Sequence, residues 1–570
     1  MKWDLRQTPF SRRGSYLAFS VRGDESFPEG LYLRSIRCAA VKQEIFALWP
    51  VLEGKTVEYD MEPTPWELRL KTAYGNVEVC FGDEETILVR SSVPGFGIRL
   101  TQACESSPLC YAHPVANGDD TRVVLNCFIN GCRMLLETFE GRLRVLQSWK
   151  ATKAESCDVE IDSGEQGFFF ALREAPKDLP LCLPSYDFNA CREIVRLDFE
   201  DFAVKMPRAP ERYADTRMFM SYVNWSGYVR PSGLFARNAM LMSKNWMTNV
   251  WSWDHCFNAM ALASRLPEAA WDQRMILFDQ QLPSGVLPDS VNDGATSWNF
   301  VKPPVHGWAL RYMMGRMALT QSQRETALRV LTKWTEWWLQ NRDGDGDGIC
   351  EYYHGNDSGW DNSTAFAMLP PVETPDLSAF LVIQMDVMAG LAGDLGKSDE
   401  AVLWKKRADE LMEKLLAHCF AGGIPVIRRS GTHEIVPCRS LIRYLPLVLG
   451  KRLPEEIRQA TIRDLKAGGF YTSWGFATEA PDSPEYVPDG YWRGPIWAPS
   501  TMILLDGLRQ CGEEAWADEA AERFCRLSQK SGAAENFDAI SGEGLRDRAY
   551  TWTSSVFLML AEQIADKEEN

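Results

Sequence analysis

The chain has 570 residues, 45% of them hydrophobic and 24% charged, a composition that excludes intrinsic disorder and allows two or three domains. Its 61 Lys and Arg stand against 78 Asp and Glu, a net charge of −17 without any basic run, which excludes nucleic acid as a partner. Residues 1–6 have no apolar targeting stretch and no unbroken apolar run of membrane length follows, so a cytoplasmic protein with no membrane partner is expected.

From the N-terminus to about residue 207 the pattern has period two. Val57-Glu58-Tyr59-Asp60-Met61, Trp66-Glu67-Leu68-Arg69-Leu70, Val77-Glu78-Val79-Cys80-Phe81 and Leu143-Arg144-Val145-Leu146 alternate apolar with polar residues, and glycines separate the runs. Short antiparallel strands in a β-sandwich over 1–207 are expected. Only four of the 21 tryptophans precede residue 205, whereas nine of the fifteen cysteines do, and this shift puts a domain boundary beside Pro207 and Pro210. The cysteines are irregularly spaced with no Cys-x-x-Cys pair, which excludes zinc-finger and thioredoxin-type sites and predicts reduced, packed thiols.

From 208 to 570 the periodicity is helical. Twelve helices are predicted at about 213–229, 255–265, 267–281, 307–318, 321–341, 377–395, 398–420, 438–447, 454–466, 496–510, 513–531 and 548–566. Connections after the even-numbered helices are short and those after the odd-numbered ones are long. If successive helices run antiparallel, every long loop gathers at one end, which predicts an (α/α)₆ barrel with a single site built by its loops.

The long loops contain Trp251-Ser252-Trp253-Asp254, Ser358-Gly359-Trp360-Asp361-Asn362-Ser363, Tyr491-Trp492-Arg493-Gly494-Pro495-Ile496-Trp497 and Glu535-Asn536-Phe537. Indole faces suit the C–H faces of sugars, and carboxylates with Arg grip hydroxyls. Trp253, Asp254, Trp360, Arg493 and Trp497 are therefore candidate carbohydrate-binding residues. Trp334, Trp337 and Trp338 sit at helical spacing and belong to packing. Asp361 follows an indole that can desolvate it, as a general acid requires; Glu535 and Glu543 are rival bases in one late loop, and Asp254 and Glu351 suit hydroxyl binding.

Across about 213–566 these segments, in this order, resemble glycoside hydrolase family 63 and, more distantly, the trehalases of family 37. The resemblance implies an (α/α)₆ barrel and inverting hydrolysis of an α-glycosidic, most simply α-glucosidic, bond in a small oligosaccharide or glycoside. It also implies Asp361 as general acid and Glu535 as general base, with carboxyl groups about 6.5–9.5 Å apart. The glycine-rich trehalase signature is absent, replaced by Ser541-Gly542-Glu543-Gly544, so trehalose is not the expected substrate. The competing reading is a barrel kept only for sugar binding, which would have no need of the base.

Asp343-Gly344-Asp345-Gly346-Asp347-Gly348-Ile349 offers Asp343, Asp345 and Asp347 at positions 1, 3 and 5 of a calcium loop, with His354 where an EF-hand carries Glu. A structural Ca²⁺ or a solvated Asp-Gly turn fits this segment; the chemistry requires no cofactor. The six histidines show no zinc-hydrolase pairing, and no phosphate-binding glycine motif occurs.

Overall fold

A computed structural model describes residues 3–24, 27–39, 43–103, 112–116, 121–127, 130–151 and 153–569. Two antiparallel sheets occupy the N-terminal region. One runs in the order Leu17–Asp24, Phe27–Ser35, Glu44–Leu52, Phe96–Gln102, Lys153–Asp162, Arg142–Lys150, with Lys55–Thr56 paired to the third. The other runs Ala112–Ala116, Arg122–Cys127, Cys132–Glu140, Phe168–Ala175, Thr86–Ser91, Gly75–Phe81, Leu68–Thr72, Asp60–Pro63. The alternation of the sequence sets the faces: Leu68, Leu70, Val77, Val79, Ile87 and Val89 are buried together, while Arg69, Glu78 and Arg90 point away from them.

Between the sheets and residue 208 lies a helix that the period-two reading passed over, α1 Phe188–Lys205. Asp187 caps it by accepting from the Asn189 and Ala190 amides, and Phe188, Val195, Phe199, Phe202 and Ala203 form its buried stripe. Each of the twelve predicted helices then has a counterpart. They are α2 Ala214–Gly227, α3 Asp254–Leu262, α4 Pro267–Met275, α5 His306–Met314 and α6 Gln321–Asn341. A one-turn helix, α7 Gly355–Ser358, comes next, then α8 Pro375–Asp394 and α9 Ser398–His418. The eighth predicted helix is a 3₁₀ segment, Leu441–Arg452, because Pro446 inside it cannot donate to an α-helical ladder. α10 Glu455–Ala467, α11 Ala498–Gln510, α12 Glu514–Ser531 and α13 Thr551–Glu569 complete the chain.

Contacts between helices follow a cycle. α3 packs on α5, α5 on α8, α8 on the 3₁₀ segment, that segment on α11, α11 on α13, and α13 on α3. These members are buried nearly all round: every residue of α3 is buried, and α8 is apolar enough to cross a membrane by length and composition yet is mostly buried within the protein. The helices between them in sequence are one-sided. α6, started by a Thr320–Gln323 capping box, buries Ala327, Leu328, Leu331, Trp334 and Trp338 and leaves its other face in water.

The β region braces the first long loop. Lys244, buried, donates to the carbonyls of Ser15 at 2.5 Å and Arg12 at 3.1 Å, and Arg34 donates to the Lys244 and Asn245 carbonyls at 3.1 and 2.6 Å. Thirteen cysteines among the described residues are unpaired; Cys104 and Cys110 lie outside those residues.

Candidate active site

The segment that carries Asp361 is shaped by glycines on both sides. Gly359 ends α7 at φ +74°, a conformation that L side chains avoid, and a Cβ there would stand 2.5 Å from Cζ2 of Trp253. A Cβ on Gly355 would strike the Asp361 carbonyl at 2.1 Å. The turn therefore lies against the start of α3 and the backbone of Asp361. Burial raises the Asp361 carboxyl above its ordinary 3.8, opposed chiefly by the positive charge of Lys302. Lys302 is held by Asp289 at 2.8 Å and by the Asn356 carbonyl at 2.6 Å.

Glu535 is 4% exposed and stands in the long connection between α12 and α13. Tyr491 donates its hydroxyl to Oε1 at 3.0 Å, and the Asp547 amide approaches Oε2 at 3.4 Å. Burial and the neighbouring Asp547 charge push its carboxyl up to about 7, against these hydrogen bonds. Asp547 also accepts from the Ser243 hydroxyl at 3.0 Å and the Trp246 amide at 2.9 Å, which clips the loop braced by the β region to the segment bearing Glu535. The rival carboxylate, Glu543, is 65% exposed and pairs with Lys530 at 2.9 Å.

Tyr491 supports the Glu535 carboxyl. Its φ of +64° is unusual for a bulky residue, and the Trp497 indole N–H holds its carbonyl at 2.8 Å. Its hydroxyl is pushed upward, chiefly by burial and then by the charge of Glu535, to which it donates. Asp254, 2% exposed at the start of α3, accepts from Tyr550 at 3.2 Å, and burial carries its carboxyl to about 8.

The predicted sugar-binding tryptophans lie beneath this cluster. Trp253, Trp360 and Trp497 are 3%, 1% and 1% exposed, and all three meet Trp492. Trp492 stacks on Trp497 with centroids 4.0 Å and planes 8° apart, and Trp552 closes the group edge-on to Trp253 and Trp497. Arg493 faces outward, one-third exposed, and pairs with Glu485 at 2.8 Å. Asn362, beside Asp361, accepts from the Trp492 amide at 2.9 Å and joins the two motif loops. Asp343, Asp345 and Asp347 bring oxygens within 4.8 Å of one another, with Glu351 accepting from the Gly344 amide at 3.2 Å. His354, at position 12, instead stacks on Phe300. Sequence reasoning gave no role to Tyr491, Tyr550, Asp547 or Lys302. Tyr491 stood inside a quoted motif and could have been found there; the others carry no local signal.

Residues 247–553, more than half of the chain, match the family model described as the mannosylglycerate hydrolase MGH1-like glycoside hydrolase domain. The chain belongs to this family, within glycoside hydrolase family 63. Similar relatives include the mannosylglycerate hydrolase of Rubrobacter radiotolerans, 23% identical over 62% of this chain and 97% of that protein. The glucosylglycerate hydrolase of Mycolicibacterium hassiacum is 22% identical over 58% of this chain and 97% of its own length. Among solved structures, the family 63 mannosylglycerate hydrolase of Thermus thermophilus in complex with Tris and D-glycerate superposes with a TM-score of 0.53 at 21% identity, over 60% of this chain and 99% of its own. A bacterial glucoamylase complexed with acarbose covers 99% of this chain and 95% of its own, with a TM-score of 0.63 at 10% identity, so the likeness in fold includes the N-terminal sheets.

Proposed function

We propose that this family 63 member hydrolyses the α-glycosidic bond of a small hexosyl glycoside with inversion, and that hexosylglycerates are its substrates. The observation that carries the reading is the pairing of buried Glu535 with Tyr491 at 3.0 Å, on the motif loop that Asn362, beside Asp361, joins through the Trp492 amide at 2.9 Å. Burial disfavours the ionised form of Asp361, which gives its proton to the glycosidic oxygen as the bond to the anomeric carbon breaks. Glu535 takes a proton from water attacking the opposite face, and the product is the β-anomer. Asp254, protonated at neutral pH, can donate to a sugar hydroxyl. Exposure of Glu543 to solvent favours Glu535 as the base. Substrate identity draws on the relatives named for mannosylglycerate and glucosylglycerate. This reading narrows the expected small oligosaccharide or glycoside to a charged hexoside.

In the same reading, residues 208–570 close as an (α/α)₆ barrel whose inner ring is the cycle from α3 through α13, with the 1–207 β-domain bracing its first loop. The protein works in the cytoplasm, as its unpaired thiols favour.

Hydrolysis of α-mannosylglycerate, α-glucosylglycerate and neutral α-linked disaccharides, followed by proton NMR, tests the proposal. The expected result is turnover of a hexosylglycerate with the β-anomer appearing first. Release of the α-anomer would refute inversion, and preference for the neutral disaccharides would refute the aglycone. Tyr491→Phe adds a pH test. The Tyr491 hydroxyl stabilises ionised Glu535, so its loss raises that carboxyl further and moves the acid limb of kcat/KM to higher pH. A charge-assisted bond worth roughly 1.5 kcal/mol predicts about one pH unit. An unmoved limb would show that Glu535 does not set it.

A further inference from the structure

The Asp-Gly loop after α6 meets two histidines that sequence spacing could not associate with it. His418 is the last residue of α9, and His433, with φ +56°, lies in the second hairpin after it, closed by the Arg428–Ile435 bridge. Their rings stand perpendicular with centroids 4.8 Å apart. Between them lies Asp347, whose Oδ2 is 3.5 Å from Nδ1 of His418 and 3.7 Å from Nε2 of His433. Its Oδ1 accepts from the Ile349 amide at 2.7 Å, which fixes the carboxylate plane. Metal–nitrogen and metal–oxygen bonds of about 2.0–2.1 Å in a tetrahedron put neighbouring donors about 3.3–3.4 Å apart, close to both spacings. Asp345 Oδ2, 2.9 Å from the same His433 nitrogen, is a fourth donor within reach.

The other nitrogen of His418 is already oriented. Nε2 meets Oε2 of Glu373 at 2.5 Å, and Glu373 is fully buried beside Arg428 in a two-stranded pairing. A carboxylate on the far nitrogen of an imidazole is the usual support for a metal-ligating histidine. Charge balance points the same way. Asp343, Asp345 and Asp347 bring carboxylate oxygens within 4.8 Å of one another, and Asp347 also gathers with Glu373, His418 and His433. Asp343 Oδ1, Glu351 Oε2 and Glu373 Oε1 are buried without partners. Nearby cations are engaged by carbonyls: Lys414 donates to the Asp347 carbonyl, and Arg428 to those of His418 and His433.

We propose that His418, His433 and Asp347 hold a divalent transition-metal ion of the Zn²⁺ class, with Asp345 completing the shell and Glu373 orienting His418. Two imidazoles favour such an ion over Ca²⁺, which takes six to eight oxygen ligands. In this proposal a softer ion takes the place of both the Ca²⁺ and the solvated turn that the Asp-Gly spacing allowed, because the fold adds nitrogen donors. The ion is structural. Asp347 and Glu373 flank the segment that carries Asp361, and the ion ties both ends to α9 and the hairpin.

The test uses the full chain, stripped with a chelator, dialysed, and given Zn²⁺, Co²⁺ or Ca²⁺ separately. Elemental analysis should find one equivalent of Zn²⁺ bound per chain, and Zn²⁺ should raise the melting temperature by several degrees while Ca²⁺ at equal concentration does not. Co²⁺ should give the visible ligand-field bands of a four-coordinate nitrogen–oxygen site. His433→Gln, at a half-exposed position that tolerates substitution, should abolish the Zn²⁺ shift, and Glu373→Gln should weaken Zn²⁺ affinity about 10–100-fold. Stabilisation by Ca²⁺ alone, persisting in His433→Gln, would overturn the proposal in favour of an oxygen-only loop. Absence of binding by any of the three ions would reduce the cluster to ordinary imidazole–carboxylate pairs.

Discussion

Asp361→Asn should lower hydrolysis of an unactivated α-hexoside by about 10²–10⁴-fold, the usual worth of acid–base assistance, while the same variant should cleave the corresponding glycosyl fluoride nearly as well as the native chain. The contrast follows from the leaving group. A glyceryl or glycosyl oxygen must be protonated as the bond breaks, whereas fluoride departs as a stable anion. Asn keeps the volume and polarity of the side chain within the Gly355–Asp361 turn, so loss of fold would not account for a selective defect. Initial rates on the two substrates decide the matter. Equal loss on both would move the acid elsewhere, with Asp254 the next carboxyl on the same cluster.

Glu535→Gln should abolish turnover of both substrates to a similar degree, again by about 10²–10⁴-fold, because water activation is needed whatever leaves. It carries a second consequence that a binding-only barrel would share. The folded chain holds the Glu535 proton up to about pH 7, whereas the unfolded carboxyl releases it near its ordinary 4.5. Stability from this group is therefore full below about pH 4.5 and declines as pH rises through 7, where ionising the buried carboxylate costs about 3 kcal/mol. Gln cannot ionise. The variant should melt with the native chain near pH 4.5 and above it at pH 8. A variant inactive at every pH and more stable only at high pH would mark a site built against stability for catalysis. If Glu535→Gln retained turnover and Glu543→Gln lost it, the base would be the outer carboxylate.

Much of this was legible before the fold was seen. The 3.6-residue stripes of α6, α9 and α12, and the alternation of short with long connections, report local burial, and burial is written residue by residue. The missed α1 shows the limit: one amphipathic helix behind a run of strands has no loop partner to announce it. Pro446 was present in the sequence, yet the 3₁₀ geometry around it depended on packing against α8 and α11. The motif residues Trp253, Asp254, Trp360, Arg493 and Trp497 could be named from their loops and composition, whereas choosing Asp361 as acid and Glu535 over Glu543 as base took the family resemblance.

Their surroundings could not. The left-handed Tyr491, the Asp547 clip and the Tyr550 contact with Asp254 join residues far apart in the chain, as does the meeting of His418 and His433 with Asp347. Periodicity and turn chemistry act over a few residues, so sequence by itself determined which segments are helical, which loops are long and which side chains could do acid–base work. Desolvation and Coulomb coupling act across space, so only the tertiary structure decided which carboxyls are buried, that Tyr491 bonds Glu535 and Tyr550 bonds Asp254, and that three tryptophans pack together on Trp492.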